Sequence, residues 1–279
     1  MKILVPTDFS ANSIAGMSFA INLSNLTQVT LEFIYVNHLS NFISTTEPPD
    51  EISVKKDKES LELLQRLEKF VMEIYEQANI LPKEVQFQII RGVKADSALL
   101  HYCEKHPSFD YVCLSSRGAG SIDRFFGTNT GNLVMKSSIP VIVVPLHYKI
   151  EPINKIVYAS DLLDYDAEIE RVMSFAHILR ASIEVLHFIP DLALIPDRYH
   201  QQEQRDKYDY GLSFHFEKSN PLHTLLKNLK DQISTMNPAM LVLFTKRYKS
   251  FFQKLFLSSV AEGLSFHATV PMLIINKQK

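Results

Sequence analysis

Two stretches of the chain decide its fold: Lys2-Ile3-Leu4-Val5-Pro6-Thr7-Asp8 at the start, and Lys155-Ile156-Val157-Tyr158-Ala159-Ser160-Asp161 past the middle. Each is a short apolar run followed by a hydroxyl residue and an aspartate, the pattern of a buried strand ending in a turn. The echo continues downstream. Met17-Ser18-Phe19-Ala20 matches Met173-Ser174-Phe175-Ala176, and Leu31-Glu32-Phe33-Ile34 resembles Ile183-Glu184-Val185-Leu186. Ile139-Pro140-Val141-Ile142-Val143-Val144-Pro145 corresponds to Val270-Pro271-Met272-Leu273-Ile274-Ile275. Unbroken apolar runs of this kind suit strands covered on both faces, as in a parallel sheet. The chain therefore reads as an internal duplication, with residues 1–147 and 152–279 as its two domains. Its 279 residues suit two cores of ordinary size.

Within the first half the reading predicts strands near 2–6, 29–36, 85–91, 110–115 and 140–145. Between them, Leu61, Leu64, Leu67, Val71, Ile74 and Ala78 recur at spacings of three and four and predict an amphipathic helix over 54–78. A further helix is expected over 96–105. Strands alternating with helices imply βαβ crossovers, so the expected class is α/β, with two tandem doubly wound, open, parallel five-stranded sheets of Rossmann-like type. In the second half, 191–209 is polar and tyrosine-rich where the first has its long helix, so an abbreviated helix or a loop is expected there.

Composition narrows the function classes. Hydrophobic content of 46%, charged content of 22% and a formal charge of -2 describe a globular protein. The 29 basic and 31 acidic residues are interspersed, without the basic stripe of a nucleic-acid binder. No stretch has the length of a membrane span or the pattern of a signal peptide. Cys103 and Cys113 are too few for a disulfide framework, and a reducing cytoplasm is expected. Cys113 lies in Tyr111-Val112-Cys113-Leu114 and reads as a small core residue. His200-Gln201-Gln202-Glu203 lacks the order of a zinc-hydrolase helix, and neither a nucleophile elbow nor a Walker A loop occurs. His101 and His106 read as surface residues.

Candidate chemistry converges at the carboxyl ends of the first half's strands. Pro6-Thr7-Asp8 follows strand one, Val36-Asn37 ends strand two, and Ser115-Ser116-Arg117-Gly118 follows strand four. That last turn leads to Gly127-Thr128-Asn129-Thr130, which opens a helix. Small residues admit an anion to backbone amides, Thr128 can cap the helix, and a helix N-terminus favours negative charge.

In these residues the chain resembles the universal stress protein family, in which an aspartate follows strand one and a G-x2-G-x9-G-[ST] loop binds ATP. Two departures stand out. Ser115 occupies the first glycine position, and only eight residues separate Gly118 from Gly127. The resemblance implies ATP or another adenine nucleotide, with Mg2+, in the N-terminal domain. Asp8 would lie near the adenosine or its metal, Val36 against the base, and Gly118, Gly127, Thr128 and Asn129 around ribose and phosphates. Arg117 and Arg124, which belong to no part of the family pattern, are the cations expected to reach a triphosphate. A purely structural alternative stays open, in which Asp8 caps the first helix and Gly127-Thr128 is an ordinary helix start.

The second half has lost the loop. Thr245-Lys246-Arg247 stands over Ser116-Arg117-Gly118, and Ser258-Ser259 over Gly127-Thr128, with bulky residues such as Phe251, Phe252, Leu255 and Phe256 between them. Asp161 survives alone, and a structural domain without nucleotide is expected. No base or nucleophile is poised at the crevice, so at most weak ATP hydrolysis is expected. The expected function is a cytoplasmic stress-response protein acting through protein contacts. The alternatives are a nucleotide-free tandem scaffold and an ATP-using enzyme of the wider adenine nucleotide α-hydrolase-like group. Against the enzyme, Asp8-Phe9-Ser10-Ala11-Asn12 has no glycine. The resemblance further implies an intramolecular pseudo-dimer through strands 140–145 and 270–275; further homodimerisation is left open.

Overall fold

The computed structural model describes residues 1–38, 49–116, 128–189, 210–245 and 269–276, with the backbone alone described at 49–56 and 128. The chain divides into two compact units, Met1–Ile150 and Glu151–Lys279.

In the first unit, β1 (Lys2–Thr7) leads through a single 3-10 turn (Ala11–Ser13) into α1 (Ile14–Leu26). Then follow β2 (Thr30–His38), α2 (Pro49–Ala78), β3 (Val85–Gly92), α3 (Ala95–Lys105), β4 (Tyr111–Ser115), α4 (Thr128–Lys136) and β5 (Val141–Val144). All pairings are parallel, in the order β3-β2-β1-β4-β5. The second unit repeats the plan with β6 (Lys155–Ala159), α5 (Tyr165–Leu179), β7 (Ser182–Ile189), β8 (Leu212–Lys218), α6 (Leu225–Met236), β9 (Met240–Thr245) and β10 (Met272–Asn276). Its order is β8-β7-β6-β9-β10, again parallel throughout. Register is duplicated along with sequence, since Lys2 pairs with Thr30 as Lys155 pairs with Ser182.

The apolar runs form these strands because helices cover both sheet faces and leave few positions for polar side chains. Ile3, Leu4, Val5, Ile142, Val143 and Val144 in the first unit, and Ile156, Val157, Met240 and Leu241 in the second, are wholly inaccessible. The predicted helix over 54–78 starts earlier, at Pro49. Its stripe holds at Leu67, Val71 and Ile74, which are buried, but Leu61 is 56% exposed. Helical geometry explains the exception, because Leu61 lies about 120° round the helix from Leu67 and so off the buried face. The expectation for 191–209 lies outside the described residues.

The two cysteines are free and buried, as a core role requires. Cys113 donates its thiol to the Gly16 carbonyl at 3.4 Å. Burial pushes the Cys103 thiol up to about 11 and raises that of Cys113 further. No helix among the described residues is long and apolar enough to cross a membrane.

Candidate functional site

The strand order of the first unit reverses between β1 and β4, so the connections leaving their carboxyl ends diverge and open a crevice there. One wall is the turn after β1. Thr7 Oγ1 is hydrogen-bonded to Ser13 Oγ at 2.8 Å and accepts from the Phe9 amide at 3.1 Å. Asp8 Oδ1 accepts from the Ser10 amide at 3.0 Å and the Ser10 hydroxyl at 2.5 Å. These bonds hold Phe9 at φ 60°, a left-handed conformation that a bulky residue adopts only when its surroundings over-determine it. The Phe9 ring supplies the remaining restraint, lying 4.6 Å from Tyr35 and 5.7 Å from Phe70 between centroids, with the Arg66 guanidinium 4.3 Å from its centroid.

The second unit builds the same turn. Ser160 Oγ accepts from the Leu162 amide at 3.0 Å, Asp161 Oδ1 from the Leu163 amide at 3.1 Å, and Leu162 has φ 60°. The aspartate after the first strand therefore has a local structural task in both units. Beneath it in the second unit, the polar groups are turned on one another. Tyr158 donates its hydroxyl to Glu168 and is hydrogen-bonded to Ser160 Oγ, while His187 Nδ1 lies 2.8 Å from the Ser160 carbonyl. Burial first, and the Glu168 carboxylate second, push the Tyr158 phenol far above its ordinary value.

The floor of the first crevice is made where α1 meets the end of β4. A Cβ built on Gly16 would stand 2.7 Å from the Leu114 carbonyl carbon and 2.7 Å from the Ser115 amide nitrogen, closer than real contacts allow. Glycine is required by proximity here. The Gly16 amide belongs to the first turn of α1, whose N–H groups have no partner within the helix. Ser115 Oγ accepts from it at 2.9 Å. The serine at the family's first glycine position thus ties β4 to α1.

Ser115 also fixes the third wall, because its carbonyl accepts from Thr130 Oγ1 at 3.1 Å and seats the first turn of α4 over the end of β4. That turn has no acidic residue, Asn129 is exposed, and Lys136 stands in the last turn. The amides of Thr128, Asn129 and Thr130 form a helix N-terminus favourable to an anion. Asn132 Nδ2 donates to Asp96 Oδ2 at 2.5 Å and braces α4 against α3.

At the end of β2, Val36 is buried, with its Cγ1 3.6 Å from the place of a Cβ on Gly92. Pro6, half-buried, pairs with Ile34. The structure thus brings together Pro6, Thr7, Asp8, Val36, Ser115, Thr128 and Asn129 at the carboxyl ends of adjacent strands and the start of α4. Arg117, Gly118, Arg124 and Gly127 lie outside the described residues, as do Lys246, Arg247, Ser258 and Ser259 of the second unit. Among the described residues no group of His, Cys, Asp or Glu gathers that could hold a metal ion. Sequence reasoning noted Asn37 only as the end of a strand. In the structure it is 4% exposed, and its amide nitrogen has no hydrogen-bond partner. Its polarity inside a β-branched and aromatic run was the available signal.

Comparison with known proteins agrees with this architecture. The universal stress protein family model matches residues 1–145. A universal stress protein from Archaeoglobus fulgidus DSM 4304 covers 100% of the chain and 97% of its own at 16% identity, with a TM-score of 0.68. The functionally unknown protein PA1789 from Pseudomonas aeruginosa PAO1 covers 99% of the chain and 92% of its own at 12% identity, with a TM-score of 0.62. At these identities the two structures speak for the fold alone. No curated protein matches the sequence.

Proposed function

Because the chain belongs to the universal stress protein family, we propose that its first unit binds ATP or another adenine nucleotide and that the protein acts in the cytoplasm through contacts with other proteins. One observation carries this reading. The first turn of α4, free of acidic side chains, is anchored through Thr130 to the carbonyl of Ser115, so its amides stand at the β1/β4 reversal where ligands of open α/β sheets bind. A triphosphate suits that place. In the sequence Gly127 immediately precedes Thr128 and Gly118 stands nine residues before Gly127, and residues without a side chain suit close approach of the backbone to phosphate. In this reading Val36 borders the base, and Asp8, already held by Ser10, borders the ribose or the Mg2+ that accompanies the phosphates. The second unit has no comparable glycines, and its buried Glu168 adds a carboxylate below the corresponding turn.

The scaffold reading is favoured by a different observation, the recurrence of the aspartate turn at Asp161, in a unit whose sequence lacks the corresponding glycines. That recurrence removes Asp8 as independent support for a ligand. Equilibrium dialysis of the full chain against ATP at millimolar concentration with Mg2+ separates the two. Saturable binding of one nucleotide per chain supports the proposal, and no binding leaves the scaffold. Product analysis of the same samples reads any hydrolysis, and efficient turnover would revive the enzyme reading.

A further inference from the structure

Alternate residues of a strand share a face, so the Asn37 side chain stands on the side of β2 that carries Phe33 and Tyr35. Tyr35 packs against Phe9, the residue after Asp8. Asn37 is therefore one pleat beyond the aromatic contact that holds the crevice wall, at the strand's carboxyl end. It is 4% exposed, and its amide nitrogen meets no acceptor. Its neighbour in register across the sheet, Arg91, donates Nη2 to Ser60 Oγ of α2 at 2.8 Å. Buried polar groups are almost always paired, and an unpaired one costs more than a hydrogen bond returns, so this donor calls for an explanation.

The duplicated unit shows that the fold does not require it. With Lys2–Thr30 and Lys155–Ser182 in equivalent register, the position of Asn37 on β2 is that of Ile189 on β7. Ile189 is 5% exposed and fills the place with an apolar side chain. The amide and the loop glycines occur together in the first unit and are missing together from the second. A polar group that the architecture can replace by isoleucine, kept in the unit whose sequence carries the loop glycines, points to a ligand atom as its partner.

We infer that the Asn37 amide donates a hydrogen bond to the N1 ring nitrogen of the bound base and so determines specificity for adenine. The inference rests on the nucleotide reading above. Adenine carries an unprotonated N1, which accepts from an amide. Guanine and hypoxanthine carry N1–H, which opposes the amide nitrogen, so the wrong base is accepted only if the buried side chain turns over to present its oxygen. Discrimination then comes from the cost of that turn inside a packed site.

The test compares the full chain with Asn37→Ile and Asn37→Ala by calorimetric titration with Mg-ATP and Mg-ITP, together with thermal melts without ligand. Asn37→Ile should melt no lower than the parent, since it carries the residue of the second unit. It should lose about tenfold in ATP affinity, the worth of one hydrogen bond to a buried donor, while ITP binding stays unchanged and the preference for ATP collapses. Asn37→Ala should show the same loss of preference if isoleucine overfills the site. Parent and variants binding ATP alike, or a parent indifferent between ATP and ITP, would overturn the inference and leave nucleotide binding intact. A lowered melting temperature with unchanged ATP affinity would make the amide structural and overturn it too. A parent that binds neither nucleotide sinks the reading beneath it as well.

Discussion

Gly16→Ala sets two familiar effects against each other at one atom. In an exposed helix the added methyl would stabilise by about 1 kcal/mol, because alanine loses less backbone entropy than glycine. Here the methyl would lie 2.7 Å from the Leu114 carbonyl carbon, 2.7 Å from the Ser115 nitrogen and 2.9 Å from the Leu114 Cα. All three are backbone atoms of β4, a strand held between β1 and β5, and none can rotate aside. Overpacking of this kind costs about 1–3 kcal/mol. Moving α1 off β4 also lengthens the bond from the Gly16 amide to Ser115 Oγ, now 2.9 Å, whose loss costs about 1 kcal/mol. With the helix gain subtracted, the net is a destabilisation of about 2 kcal/mol, or a fall in Tm of about 4–8 °C for a unit of this size. Thermal and urea denaturation of the full chain, followed by circular dichroism, reads it directly. An unchanged or raised Tm would show that the end of β4 yields and that the close approach of α1 to the crevice floor is no constraint.

Two further outcomes follow from the same region and its surroundings. Ser115→Gly, which restores the family's first loop glycine, should destabilise the first unit by about 1–2 kcal/mol, because it strips the acceptor from the buried Gly16 amide; a urea midpoint equal to that of the parent would contradict the tie. Tyr102 donates its hydroxyl to the buried Glu32 carboxylate at 2.5 Å, while Lys2 Nζ lies 2.8 Å from the other oxygen. Burial first, then the bond and charge of Glu32, raise its phenol far above the ordinary 10.0. A raised value means stability that is complete below pH 10 and declines as pH climbs from there toward the folded value, because only the unfolded chain releases the proton. The parent should therefore lose stability above pH 10 more steeply than Tyr102→Phe, and parallel pH profiles of the two would refute the assignment.

What the sequence determined by itself was the framework. The repeated Lys-to-Asp runs, the continuous apolar strands and the interspersed helices specify two doubly wound parallel sheets, because burial on both faces leaves a strand no choice but apolar residues. The place of the crevice followed as well, since it lies wherever the connections from adjacent strands diverge. Long-range partners were not legible, because local composition carries no record of which distant group a side chain meets. Ser115 reads as a damaged glycine position until Gly16, far away in sequence, is seen donating to it. Asp8 reads equally as a ligand contact or a structural residue, and only the fold shows its bond to the Ser10 amide and the same turn repeated at Asp161 and Leu163. Asn37 reads as a strand end until tertiary packing shows its amide buried without a partner, with Ile189 in the same place on β7. Strand identity is set by burial that a pattern of residue types records, whereas the role of each polar group is set by which backbone the fold brings against it.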